Sequence, residues 1–295
     1  MNQNYWWCGY AIVCKLVRSN LWLQNNILRG KRSKGDVLFE KKWIVHSTNR
    51  NEAKVNLLMF VYAGGSPSFF APWKKYFDAY LNVCPVLYPG REIRKSEPIP
   101  ASVEEMVGEF VDDAPELFEK PVVLFGQCTG SIIAYEAAKC IYKKYGCFPL
   151  AFVTSSMNSP RSYDCYKALY DNDGNEATDA VLAERMVEQG TVSADFAKDQ
   201  NFINYYMPVF RGDLKMFEHI DKSDPMKLGC NIYCLTGTED EFITESGIAD
   251  WKNYTSKSAF YEQVHGGHYY FNEYGNKEFV LARLNTYIKN NLGGI

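Results

Sequence analysis

Pro121-Val122-Val123-Leu124-Phe125-Gly126-Gln127-Cys128-Thr129-Gly130-Ser131 decides how this chain folds. Residues 121–125 are an unbroken apolar run, as expected of a central strand in a parallel sheet buried on both faces. From Ser131 to Lys144 the apolar positions Ala134, Tyr135, Ala138 and Ile141 recur at helical spacing. Between strand and helix lies Gly-x-Cys-x-Gly. A sharp strand-to-helix turn that exposes its central side chain needs small residues two positions before and two after, so that strand and helix can approach closely. The following helix points its N-terminus at Cys128, which favours negative charge there, and the thiolate is the nucleophilic form of cysteine. The competing reading is a small, inert, buried cysteine. A turn that pushes its central residue outward favours the nucleophile.

Outward from this turn, short apolar runs alternate with longer amphipathic segments. Strands are expected over Val55 to Tyr62, Val83 to Tyr88, Leu150 to Thr154, Ile232 to Leu235 and Ala259 to Val264. Helices are expected over Ser68 to Tyr80, after the capping residue Ser102 with Glu105 three positions on, and from about Lys277 to Asn290. This alternation predicts an α/β fold, a mostly parallel sheet with helices on both faces. Residues 160 to about 222 interrupt it with helical patterns only, such as Val181 to Val187 and Phe202 to Phe217. An all-helical insertion there is expected to form a lid over the strand C-termini, where such sheets bind ligands.

The elbow is that of an α/β-hydrolase, in which nucleophile, acid and histidine follow in that chain order. His268 and His265 both satisfy the order. His268 is favoured because Gly266 and Gly267 precede it and free the loop to aim its imidazole. His46 precedes the sheet and His219 falls in the helical insertion, so both read as surface or packing residues. For the acid, Thr236-Gly237-Thr238-Glu239-Asp240-Glu241 follows a strand. Asp240 sits where a side chain can reach the histidine, whereas the segment after the preceding strand, residues 154–159, holds no carboxylate. An oxyanion hole needs two backbone N–H groups. Thr129, directly after the nucleophile, supplies one, and Ala63 in Tyr62-Ala63-Gly64-Gly65 supplies the other.

The 295 residues suffice for a large core, and the composition, 46% hydrophobic and 23% charged, is that of an ordinary globular protein. A formal charge of −3, without basic clusters interleaved with aromatics, argues against nucleic-acid binding. The nine cysteines form no C-x-x-C pair, so neither a zinc ribbon nor a thioredoxin-type site is expected, and reduced thiols in a cytoplasm are. No metal or redox cofactor is implied. Residues 1–41 read as an extension. The apolar stretch Tyr5 to Val17 is too short to span a membrane and lacks the flanks of a secretory signal. Residues 1 to about 37 are either translated from upstream of the true start, Lys34-Gly35-Asp36 being encodable by a ribosome-binding-site sequence, or form a docking or membrane-touching extension. The mass of the natively expressed protein separates the two.

From about residue 42 to the end the chain resembles the type II (external) thioesterases of polyketide and nonribosomal-peptide assembly lines. The resemblance is carried by residues 61–66, Phe70-Ala71-Pro72-Trp73, Tyr88-Pro89-Gly90-Arg91-Glu92, the elbow, Met207-Pro208-Val209-Phe210-Arg211-Gly212-Asp213 and Gly267-His268. It implies an α/β-hydrolase with a helical lid over about 160–222, acting on acyl groups carried on the phosphopantetheine of an acyl or peptidyl carrier protein. Editing or release by a cytoplasmic monomer is implied, with Cys128, Asp240 and His268 as the triad and Ala63 and Thr129 at the oxyanion hole. Arg211 and Asp213 match a lid-helix motif without a catalytic part. The family usually carries Gly-His-Ser-x-Gly, and here Gln127 and Cys128 stand in place of the histidine and serine. A cysteine acyl-enzyme remains a thioester, so an acyltransferase or cyclase on the same triad is an alternative, as is a dienelactone-hydrolase-like lactone hydrolase.

Overall fold

Among the described residues the apolar runs become six strands: β1 (Val55–Phe60), β2 (Leu81–Pro85), β3 (Val122–Gln127), β4 (Ala151–Ser155), β5 (Asn231–Gly237) and β6 (Ala259–Val264). They form one sheet in the order β2-β1-β3-β4-β5-β6, and every neighbouring pair is parallel. The computed structural model describes residues 42–48, 52–171, 173–188 and 192–293, so the extension expected over residues 1–41 lies outside the described residues. From β1 the chain steps outward to β2, then returns across β1 to β3, and all later strands extend the sheet in the opposite direction. The strand order therefore reverses between β1 and β3, and a crevice opens beyond the C-terminal ends of such a pair. The register pairs Phe60 with Gly126, which sets the loop after β1 directly beside the turn that carries Cys128.

Among the described residues six α-helices accompany the sheet: α1 (Val103–Asp113), α2 (Thr129–Tyr145), α3 (Asp179–Glu188), α4 (Gln200–Lys215), α5 (Glu245–Ala249) and α6 (Asn276–Asn290). Every residue of β1, β3 and β4 is buried, so both faces are covered. Alternation along the strands places Phe60 against Phe110 of α1, ring centroids 6.0 Å apart, and Phe125 on the opposite face against Trp73, 5.8 Å apart. Helix α1 starts as its sequence predicts, with Ser102 Oγ accepting from the Glu105 N–H at 3.1 Å. It buries Val103, Met106, Val107, Phe110 and Val111.

Two expectations are corrected. The helix read over Ser68 to Tyr80 is a 3₁₀ helix, Pro67–Tyr76, capped by Ser66. Pro72 in its middle has no N–H to give and its ring excludes the carbonyl an α-turn would place there. Strand β2 begins two residues before the expected Val83. The segment between β4 and β5 contains no strand among the described residues and holds α3 and α4 with short 3₁₀ turns, as expected of the insertion. No helix among the described residues is long and apolar enough to cross a membrane.

The closeness of α2 to β1 is set by Gly130. A β-carbon there would lie 2.3 Å from the Phe60 carbonyl oxygen, and a strand backbone cannot retreat without breaking its ladder. Gly130→Ala is expected to cost about 3 kcal/mol or more in urea unfolding. A change within about 0.5 kcal/mol, usual for an unconstrained site, would contradict this packing.

Candidate active site

Cys128 occupies the turn between β3 and α2 with φ 50° and ψ −129°, a conformation residues with a β-carbon rarely adopt. Its N–H donates to the Ser155 carbonyl at 2.8 Å, and its carbonyl accepts from the Ser131 N–H at 2.8 Å. Ser131 Oγ also donates to the Gly126 carbonyl at 2.8 Å, which closes the turn on itself. Glycine is required at 126 because a β-carbon would sit 2.3 Å from Ser131 Cα. The cysteine is left half-buried at the floor of a cavity, as read from the motif.

The structure separates the two candidate histidines. His268 Nδ1 lies 2.9 Å from Asp240 Oδ2 and 3.1 Å from Oδ1, with the carboxylate fully buried and the ring 9% exposed. His265 pairs instead with Glu239 at 3.3 Å, on the open surface, and stacks on Tyr274. The acid loop and the histidine loop are bridged by backbone bonds, Thr238 N–H to Val264 O and Glu239 N–H to Gly266 O, both 2.9 Å. Gly237 permits this, since a β-carbon there would meet the Gly267 carbonyl at 2.1 Å. Ser156 Oγ holds the His268 carbonyl at 2.9 Å, and Phe242 meets the imidazole edge-on at 5.6 Å. His46 lies 3.0 Å from Glu92, and His219 is exposed, so neither joins the site.

With Nδ1 committed to Asp240, the other ring nitrogen is not engaged by the carboxylate, and His268 and Cys128 line the same cavity. Burial works against the charged imidazole. The charge of Cys128, the hydrogen bonds to Asp240 and Cys128, and the charge of Asp240 outweigh it and push His268 up to about 10. Burial, and secondarily the charge of Cys128, also raises Tyr62 to about 12. Among the described residues no group of histidine, cysteine and carboxylate side chains could hold a metal ion.

The two expected oxyanion donors lie side by side, but one is engaged. The Ala63 N–H donates to the Thr129 hydroxyl at 2.8 Å. The rest of this loop is tied down as well, with Gly65 N–H on Tyr62 O at 2.9 Å, Tyr206 OH on Ala63 O at 3.4 Å and Gly64 N–H on Asp213 Oδ2 at 2.7 Å. Above Cys128, Thr129 and His268 the cavity is walled by Tyr62, Met157, Tyr163, Phe210, Leu214 and Phe242, with Cys165 also in its lining. None of these wall residues was singled out from the sequence. Phe210 and Leu214 recur four apart on α4, a spacing indistinguishable from ordinary core packing until the helix is placed. Burial, followed by the charge of Cys128, pushes the Cys165 thiol far up, which keeps this second cysteine protonated.

Because the His268 value lies above its unfolded value of 6.5, its contribution to stability is whole below about pH 6.5 and is lost as pH rises to about 10. The difference in Tm between the wild type and His268→Ala is therefore expected to be largest near pH 6 and to shrink towards pH 10. A difference independent of pH would show that the ring is not charged in the folded protein.

Comparison with known proteins follows this geometry. A family model described as thioesterase domain matches residues 55–287. A Brevibacillus parabrevis protein named linear gramicidin dehydrogenase LgrE is 26% identical over 255 residues, covering 86% of this chain and 95% of its own. Thioesterase PikA5 of Streptomyces venezuelae is 29% identical over 233 residues, covering 78% and 80%. The solved structure of the RedJ thioesterase, from the prodiginine biosynthetic pathway of Streptomyces coelicolor, is similar with a TM-score of 0.72 at 25% identity, covering 81% of this chain and 92% of its own. The sheet and its flanking helices are thus those of the α/β-hydrolase-like thioesterases. With the match running from β1 into α6, the chain belongs to the thioesterase domain family and is a hydrolase acting on thioesters.

Proposed function

We propose that this enzyme hydrolyses acyl thioesters presented on the phosphopantetheine arm of a carrier protein, with Cys128 as nucleophile, His268 as base and acid, and Asp240 as the group that orients the imidazole. The observation that carries this reading is the buried His268, bonded to Asp240 through one ring nitrogen and lining the same apolar cavity as Cys128. Family membership and the resemblance to assembly-line thioesterases support the carrier-bound substrate.

The sulfur of Cys128 attacks the acyl carbonyl carbon while His268 holds the thiol proton as imidazolium. The carbonyl oxygen, now negative, takes the place of the Thr129 hydroxyl on the Ala63 N–H and accepts a second bond from the Thr129 N–H. The carbon–sulfur bond to the pantetheine breaks, and His268 returns its proton to the leaving thiolate. Water then attacks the acyl-cysteine, giving its proton to His268, and the free acid leaves as Cys128 is restored. Helix α4, with Phe210 and Leu214 facing the cavity, acts as the lid that shields these steps from bulk water. No cofactor is needed. A nucleotide-dependent redox reaction is disfavoured because the turns after β1 and β3 read Tyr62-Ala63-Gly64-Gly65 and Gly126-Gln127-Cys128-Thr129-Gly130, neither a dinucleotide-binding Gly-x-Gly-x-x-Gly.

Release of free acid from an acyl-loaded carrier protein is expected to fall by about a thousandfold or more in Cys128→Ala and in His268→Ala, with a large loss also in Asp240→Asn. Turnover unchanged in Cys128→Ala would refute the assignment. An acyl group that leaves Cys128 only when an amine or alcohol is supplied would identify an acyltransferase instead.

A further inference from the structure

Two sequence motifs take no part in the triad, Tyr88-Pro89-Gly90-Arg91 after β2 and Pro208-Val209-Phe210-Arg211-Gly212-Asp213 on α4. The fold brings their last residues together. The Arg91 guanidinium and the Asp213 carboxylate pair at 3% and 1% exposure, with Nη1 2.8 Å from Oδ2 and Nη2 bonded to Oδ1. Arg91 Nη1 also donates to the Gly65 carbonyl at 2.8 Å, and Nε donates to the Pro89 carbonyl at 3.2 Å. Asp213 Oδ2 accepts in addition from the Gly64 N–H at 2.7 Å. Tyr88 supports the arrangement from below, its ring 5.0 Å from the guanidinium and its hydroxyl donating to the Val61 carbonyl at 3.0 Å. Arg211 turns away and binds Asp179 and Glu176 instead.

A buried ion pair is a poor way to gain stability, because desolvating both charges offsets most of their attraction. It is, however, a rigid bidentate fixture. What it fixes here is a loop that would otherwise be free to turn its peptides, since Gly64 sits at φ +74° and is followed by a second glycine. The same carboxylate oxygen holds the Gly64 N–H and the Arg91 Nη1, whose other contact is the Gly65 carbonyl. The Ala63–Gly64 and Gly65–Ser66 peptides are therefore clamped from the α4 side, and the neighbouring Ala63 N–H is held on the hydroxyl of Thr129, a residue that lines the cavity with Cys128.

We propose that Arg91 and Asp213 are positioning residues for the thioesterase reaction: through Gly64 and Gly65 they set the direction of the Ala63 N–H that receives the developing oxyanion, and they pin α4 to that loop. The proposal rests on the reading of Cys128 and Ala63 given above. On this account α4 is a fixed wall of the site at its Asp213 end. The two motifs then serve one task, although Arg91 and Asp213 lie 122 residues apart in the chain.

The test uses two reactions of the same sulfur in the full-length protein. Acetylation of Cys128 by S-acetyl-N-acetylcysteamine passes through an oxyanion, whereas alkylation by iodoacetamide is displacement at a saturated carbon and creates none. Both are followed on the Cys128 peptide by mass spectrometry. In Asp213→Asn and Arg91→Lys the maximal acetylation rate is expected to fall at least about tenfold, since misplacing an oxyanion donor costs up to about a hundredfold or more. The concentration for half-maximal rate and the alkylation rate should each stay within about threefold of wild type. Acetylation left unchanged would overturn the proposal, as would both reactions declining together in step with loss of folded protein by circular dichroism. Should Asp213→Asn fail to fold, Asp213→Glu keeps the charge pair while displacing the carboxylate from Gly64, and the same split between the two reactions is expected. A wild type that is alkylated yet never acetylated would remove the thioesterase reading itself, and that outcome is distinct from a failure of the clamp.

Discussion

The φ of 50° at Cys128 is unfavourable for any residue with a β-carbon, and it persists because its surroundings over-determine it. Glycines at 126 and 130 let α2 pack where β-carbons would collide with Ser131 and with the backbone of β1. Ser155 and Ser131 hold the peptide groups on either side of the sulfur. Everything else in the site is arranged around the point where that turn leaves Cys128. The β1–β3 reversal in strand order brings the Tyr62–Gly65 loop beside it, and the register of β5 with β6 delivers acid and histidine from the other side.

A second constraint is dielectric. The chain carries two histidine–carboxylate pairs within a few residues of each other, His265 with Glu239 and His268 with Asp240. They differ in solvent. The first pair is more than half exposed, and water screens such contacts to little consequence. The second is enclosed, with Asp240 fully buried, and its hydrogen bond helps hold the His268 imidazole above its ordinary value. Burial thus decides which of two similar pairs can do proton-transfer chemistry.

Much of this was legible in the residues. The apolar run ending at Phe125 and the glycines around Cys128 specify a strand, a tight turn and a helix, and that local pattern has few tertiary solutions. His268 was separable from His265 because Gly266 and Gly267 promise a mobile, close-approaching loop, and Asp240 because no carboxylate follows β4. The 3₁₀ form of Pro67–Tyr76, in place of the helix expected over Ser68 to Tyr80, follows from Pro72, which removes an N–H from the middle of the segment. The cavity wall was missed for a deeper reason. Tyr163, Phe210 and Leu214 lie far from Cys128 in sequence, and only the placement of the helical insertion turns them into a wall. The Arg91–Asp213 contact is likewise invisible in one sequence, since nothing local to either residue names the other. That the Ala63 N–H rests on the Thr129 hydroxyl could not be read either, because a threonine after the nucleophile is equally compatible with a side chain turned to solvent.

The central claim is that Cys128 becomes acylated during turnover. The most direct measurement is to quench the enzyme in acid during steady-state turnover of an acyl thioester, digest it, and locate the acyl mass on individual cysteine peptides. The expected result is acyl label on Cys128, absent in His268→Ala, with none on the buried thiols Cys165, Cys230 and Cys234. Turnover that proceeds with Cys128 never labelled, or label that accumulates equally without His268, would contradict the account.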